Sequence, residues 1–182
     1  MSIKTATHNG VATIEIARPQ TNNALPVEMY QAMADALAAA REDAAVRAVL
    51  IGGQPGIFTS GNDLEDFMRR PRQGEDSPVL RFMRALVDCD KPVVAAVNGA
   101  AIGIGTTMLL HCDFVYVADD ARLAMPFVSL GLVPEFASSL AVPALMGHRR
   151  AAEKLLLGDP FSAETAVECG IANAVLPAGE VM

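Results

Sequence analysis

Residues 98–139, NGAAIGIGTTMLLHCDFVYVADDARLAMPFVSLGLVPEFASS, decide how the rest of the chain is read. They follow the apolar run at 92–97, which has the length and composition of a buried strand. Gly99, Gly103 and Gly105 then mark a turn, and residues 106–111 read as the first turns of a buried helix. A glycine turn feeding a helix start leaves backbone N–H groups without partners, and these groups together with the helix dipole favour negative charge. Such a turn suits an anion hole, for a phosphate or for an oxyanion formed during a reaction. A plainer reading, glycines needed only for a tight connection, stands beside it. Two phosphate loops are excluded: Met108 sits at the third glycine position of a dinucleotide fingerprint, and no Gly-Lys-Ser/Thr occurs anywhere.

Upstream, Ile57-Phe58-Thr59-Ser60-Gly61-Asn62-Asp63-Leu64 repeats that logic, with an apolar approach, a glycine turn and an acid at the start of a short helix. Asp63 also reads as a simple helix cap. Before it, strand-like residues 4–7 and 11–16 flank Asn9-Gly10 and predict an antiparallel hairpin. Pro26 is expected as the first residue of a helix that carries Met29, Met33 and Leu37 to about Ala40. Residues 47–52 read as a short buried strand, 69–78 as a polar, mobile connection, and 79–87 as a helix with Leu80, Met83 and Val87 on one stripe.

Downstream, a third strand is expected at 114–118, a helix from Glu135 to Met146 interrupted at Pro143, and another at 149–157 ending at Gly158. Ser162 caps a short helix closed by Gly170, and residues 171–176 form a last strand. Alternating strands and helices predict an α/β fold in one domain.

With 182 residues and 52% hydrophobic side chains the chain can bury a core. Its apolar runs are too short for a bilayer span and its N-terminus lacks the apolar core of a secretory signal, so a soluble cytoplasmic protein is expected. Cys89, Cys112 and Cys169 are odd in number and scattered, which predicts reduced packing residues and no metal site. A net charge of −7, with a single short basic run at Arg69, Arg70 and Arg72, argues against nucleic acid. His111 is expected in the core or at an interface, and His8 and His148 at the surface. Asp113 is expected in a structural pairing, and the Thr106 and Thr107 hydroxyls are candidate donors in the pocket.

Taken together, Asn23-Ala24-Leu25, Phe58 through Leu64, Lys91-Pro-Val-Val-Ala-Ala-Val-Asn-Gly99 through Gly105, Cys112-Asp113 and Leu130-Gly-Leu-Val-Pro134 resemble the crotonase superfamily, the enoyl-CoA hydratase/isomerase family. The resemblance implies a spiral of repeated ββα units that binds acyl-CoA thioesters, as a trimer or dimer of trimers. Coenzyme A would be part of the substrate, with no further cofactor. It implies that the Asn62 and Ile104 N–H groups hold the thioester oxygen, with Gly103 beside them, and that Ala24, Ser60 and Leu64 lie near the adenosine and pantetheine of CoA. Where many members carry a basic residue before Ala-Leu this chain has Asn22-Asn23, so that a phosphate contact is expected to be either missing or supplied by Arg18. The family's C-terminal helices are expected to be missing or short here.

The two glutamates of the family's hydratases correspond to Thr107 and Phe127, neither of which can act as a carboxylate base. The segment from Met125 to Ser139 instead looks like the branch of Δ3,Δ2-enoyl-CoA isomerases with one glutamate after the Leu-Gly-Leu-x-Pro turn, here Glu135. Its apolar neighbours Val133, Pro134 and Phe136 would raise its pKa toward that of a useful base. The rivals are another reaction of the family, hydration included, a non-catalytic acyl-CoA binder, and a Glu135 that only satisfies a helix N-terminus.

Overall fold

The computed structural model describes residues 3–69, 74 and 76–181. The expected hairpin is present: β1 (Ile3–His8) pairs antiparallel with β2 (Val11–Ile16), and Asn9 and Gly10 both take positive φ. Positive φ at both turn residues matches the twist of the strands, and Asn-Gly adopts it at least cost. β2 alternates, burying Ala12, Ile14 and Ile16. The long α1 (Val27–Glu42) buries Met29, Met33 and Leu37 on its inward stripe. Pro26 stands one position earlier than expected, as the extended residue capping α1 from outside.

Each later pair of strands divides between two sheets. β3 (Ala48–Gly52), β5 (Val93–Val97) and β7 (Phe114–Ala118) join the first; β4 (Ile57–Thr59), β6 (Ala100–Ile102) and β8 (Arg122–Ala124) join the second. With β9 (Phe161–Ser162) and β10 (Ala174–Leu176), the orders are β1-β2-β3-β5-β7-β10 and β4-β6-β8-β9. The first sheet is parallel from β2 onward. Helices α2 (Leu64–Arg69) and α3 (Pro78–Val87) follow the β3–β4 pair, and α4 (Ile104–Thr107) follows β5–β6. This is the spiral of ββα turns that the resemblance implies. Successive turns lie so close that a Cβ on Gly99, at φ +63°, would sit 1.9 Å from the Gly56 carbonyl oxygen, so only glycine fits.

Several expectations are corrected. The glycine turn after β5 contains β6, and its helix starts at Ile104 rather than Thr106, passing into a 3-10 turn at Met108–His111. Neither β6 nor β8 has the β-branched alternation that signals a strand; neighbouring rungs of the spiral pair them. In α3 the buried face is Phe82, Met83 and Leu86, while Val87 is exposed. After β8 the chain makes a 3-10 turn (Val128–Leu130), and α5 (Ser138–Met146) begins three residues beyond Glu135. α6 (His148–Ala152) runs into a π-helical turn, Glu153–Leu157, closed by Gly158, and Ser162 caps α7 (Ala163–Glu168) as expected. Of the connection expected at 69–78, residues 70–73 and 75 lie outside the described residues, and Pro78 already belongs to α3.

Candidate active site

Three loops meet around one cavity of about 910 Å³. The first leaves β4 through Ser60 and Gly61, the latter at φ +89°. Leu25 pairs with it in parallel, its N–H donating to Gly61 O at 2.8 Å and its carbonyl accepting from Asp63 N at 3.0 Å. Both bonds go to the residues flanking Asn62, so the Asn62 N–H points away from Leu25. A fully buried asparagine anchors this loop. Asn23 Nδ2 donates to the carbonyls of Ile16, Ile57 and Phe58 at 3.0–3.2 Å, and its Oδ1 accepts from Arg18 N at 2.7 Å. Asn23 also sits at φ +55°, which asparagine tolerates better than most residues. Asn23→Ala is expected to lower stability by about 3 kcal/mol or more, because the buried carbonyls lose their donor. Thermal unfolding should register this as a fall of roughly 10 °C in Tm.

The second loop is the turn from β6 into α4. Gly103 N donates to Ala124 O at 2.9 Å, and Gly103 then caps the helix. Ile104 follows as the first helical residue, a position whose N–H has no partner within a helix. Thr106 Oγ1 bridges the carbonyls of Ala101 and Ala124 and accepts from Ala124 N, pinning β6 to β8. Thr106 is therefore a fold staple, contrary to its expected role in the pocket. Thr107 is likewise buried away from the cavity lining, its hydroxyl without a hydrogen-bond partner among the described residues.

The third loop runs from Pro126 to Glu135. Phe127 O accepts from Leu130 N and Leu132 N, folding the loop over the cavity. Pro126, Phe127, Leu130, Leu132 and Val133 give it an apolar wall, and Glu135, 8% exposed, closes it. The Glu135 carbonyl accepts from both Ser138 N and Ser138 Oγ.

The structure brings Ala24, Ser60, Asn62, Leu64, Gly103, Ile104 and Glu135 together in the lining of this one cavity. Among the described residues three carboxylates line it, and they differ in kind. Asp63 takes a 2.8 Å bond from Arg18 Nη1 and one from Asp66 N, and these hold its pKa below the ordinary value. Glu65 is exposed and faces Arg69 at 3.4 Å. Glu135 alone of the three is buried. Arg18 lines the cavity with its guanidinium already bonded to Asp63 and to the Ala24 carbonyl.

Elsewhere, Asp113 accepts from Val93 N at 2.7 Å, the structural pairing expected of it. Burial pushes the Cys112 thiol up to about 12, as befits a packing residue rather than a nucleophile. Sequence reading missed Asn23 as an anchor and also missed Tyr30, whose hydroxyl donates to Asn62 Oδ1 from the inner face of α1. Nothing in a helical period marks Tyr30 apart from any other core residue. Among the described residues no group of three or more His, Cys, Asp or Glu is placed to hold a metal ion, and no helix is long and apolar enough to cross a membrane.

Residues 6–182 match the family model described as enoyl-CoA hydratase/isomerase. The chain is 38% identical over 96% of its length to rat (Rattus norvegicus) enoyl-CoA delta isomerase 2, of which it covers 46%. Among solved structures, Pseudomonas aeruginosa OdaA superposes with a TM-score of 0.95 at 54% identity, with 97% of this chain and 71% of that one covered. An enoyl-CoA hydratase/isomerase from Pseudoalteromonas atlantica T6c gives 0.95 at 41% identity, with 100% and 72% covered. The chain spans about half the length of the curated relatives it matches.

Proposed function

The chain belongs to the enoyl-CoA hydratase/isomerase family, and from that premise we propose that it is an acyl-CoA isomerase that moves the double bond of a 3-enoyl-CoA to the 2-position. One observation carries the reading: among the described residues the cavity that holds both glycine turns contains a single buried carboxylate, Glu135, while Phe127 and the sequestered Thr107 offer no second one.

In this mechanism the Glu135 carboxylate removes a proton from C2 of the thioester. Charge moves onto the thioester oxygen, where the Asn62 and Ile104 N–H groups stabilise it as a dienolate. The protonated Glu135 then delivers the same proton to C4, and the double bond comes to rest between C2 and C3. One acid/base group suffices, since the proton is only relocated, and coenzyme A enters as part of the substrate. Hydration would instead need water activated at C3 and a second proton transfer. The apolar wall from Pro126 to Val133 disfavours water there. Ala24, Ser60 and Leu64, which also line the cavity, are assigned to the CoA portion.

The test is an assay with a 3-enoyl-CoA and, separately, a 2-enoyl-CoA. Conversion of the first to the conjugated product, without hydration of the second, is expected. Hydration of the 2-enoyl substrate would overturn the one-base reading, and silence on both with retained CoA binding would favour a non-catalytic binder.

A further inference from the structure

Glu135 is followed by two non-glycine residues in the left-handed region, Phe136 and Ala137, each at φ +54°. Consecutive residues there are strained, and such a pair persists only where the surroundings hold it. The neighbours of Phe136 supply that hold. The His111 ring stacks on the Phe136 ring with centroids 3.9 Å apart and planes at 23°. His111 Nε2 lies 2.8 Å from the Phe136 carbonyl oxygen. A carbonyl only accepts, so Nε2 carries the hydrogen and donates it. One side chain thus grips both the ring and the backbone of the residue after Glu135. The far side of Phe136 meets Phe82 edge-on at 6.4 Å, and Phe82 meets Tyr30 at 5.7 Å, whose hydroxyl donates to Asn62. The loop bearing the acid and the turn bearing Asn62 therefore rest on one continuous aromatic layer, with His111 at its outer end.

From this geometry we infer that His111 is a positioning residue for Glu135: its stack and hydrogen bond lock Phe136 and Ala137 in the left-handed conformation that turns the Glu135 side chain to the cavity. The inference rests on the reading of Glu135 as the acid/base. A histidine suits the place because it supplies a flat ring and an N–H donor together; leucine supplies neither, while glutamine keeps the donor that holds the Phe136 carbonyl.

The experiment compares His111→Leu, His111→Gln and Glu135→Gln in the same full chain, by steady-state kinetics with a 3-enoyl-CoA and by amide hydrogen exchange. His111→Leu is expected to lower kcat by about 10–100-fold, as displaced catalytic groups do. KM should change by less than about threefold, since ground-state binding is untouched. Amide exchange at residues 136–138 should quicken, including that of Ser138, whose N–H bonds to Glu135 O at 3.0 Å. His111→Gln should recover most of the lost kcat. Wild-type kcat and exchange in His111→Leu would overturn the inference, as would a loss that glutamine does not repair and that follows global unfolding. Full activity in Glu135→Gln would instead reject the acid/base reading, and local exchange would still test the clamp.

Discussion

Glu135→Gln is expected to lower kcat for 3-enoyl-CoA isomerisation by about a thousandfold, near the middle of the range for loss of a positioned general base, while KM changes little. Glutamine keeps the shape and polarity of the side chain, and so the packing of a residue only 8% exposed. It cannot accept a proton from C2. The other carboxylates of the cavity are poor substitutes. Asp63 is held ionised by Arg18, and its lowered pKa makes it a weaker base; Glu65 sits exposed at the rim. Steady-state kinetics and binding of a saturated acyl-CoA would check the two halves separately. Undiminished kcat would remove Glu135 from the mechanism, while loss of binding with kcat intact would make it a recognition residue.

The second large effect is expected at a glycine. A Cβ on Gly61 would lie 2.7 Å from the carbonyl oxygen of Ile102, immediately before the Gly103-Ile104 turn, and Gly61 holds φ +89°. Gly61→Ala would therefore wedge apart the two turns that carry the Asn62 and Ile104 N–H groups. Losing one such donor typically costs about a hundred- to a thousandfold in kcat, and a comparable loss is expected here. Gly56→Ala is the control: its φ of +79° imposes similar backbone strain, but a Cβ there meets nothing within 4 Å. The control should lose about 1–2 kcal/mol of stability and keep its turnover when folded. Equal kcat in both variants would show that the spacing of the two turns does not govern the reaction.

These two substitutions differ in how far sequence reading reaches them. Glu135 was singled out by a motif, and its burial followed from apolar neighbours. Gly61 was legible as a turn residue, but its contact with Ile102 was not. That contact exists because β4 and β6 lie side by side in the second sheet, where β6 is a three-residue Ala-Ala-Ile strand with no sequence signal of its own. The helix expected to begin at Glu135 shows the same limit. Composition from Glu135 to Met146 favours a helix, yet the Phe136 carbonyl is taken by His111 and the chain stays left-handed until Ser138.

The sequence by itself determined what is local or periodic. The Asn-Gly hairpin, the stripe of α1 and the Ser162 cap each depend on neighbours within a few residues, and each is where the pattern places it. The ordered set of motifs added the spiral fold and the family. Only the tertiary structure decided which side chains support the site. Asn23 reaches Phe58, Arg18 reaches Asp63, Tyr30 reaches Asn62, and His111 holds Phe136. Those bonds join residues from 25 to 45 positions apart in the chain, on elements brought together by burial of apolar faces. Hydrophobic burial is non-directional and fixes which faces meet, whereas a hydrogen bond needs a donor and acceptor within a few tenths of an ångström, a condition met only once the spiral has closed.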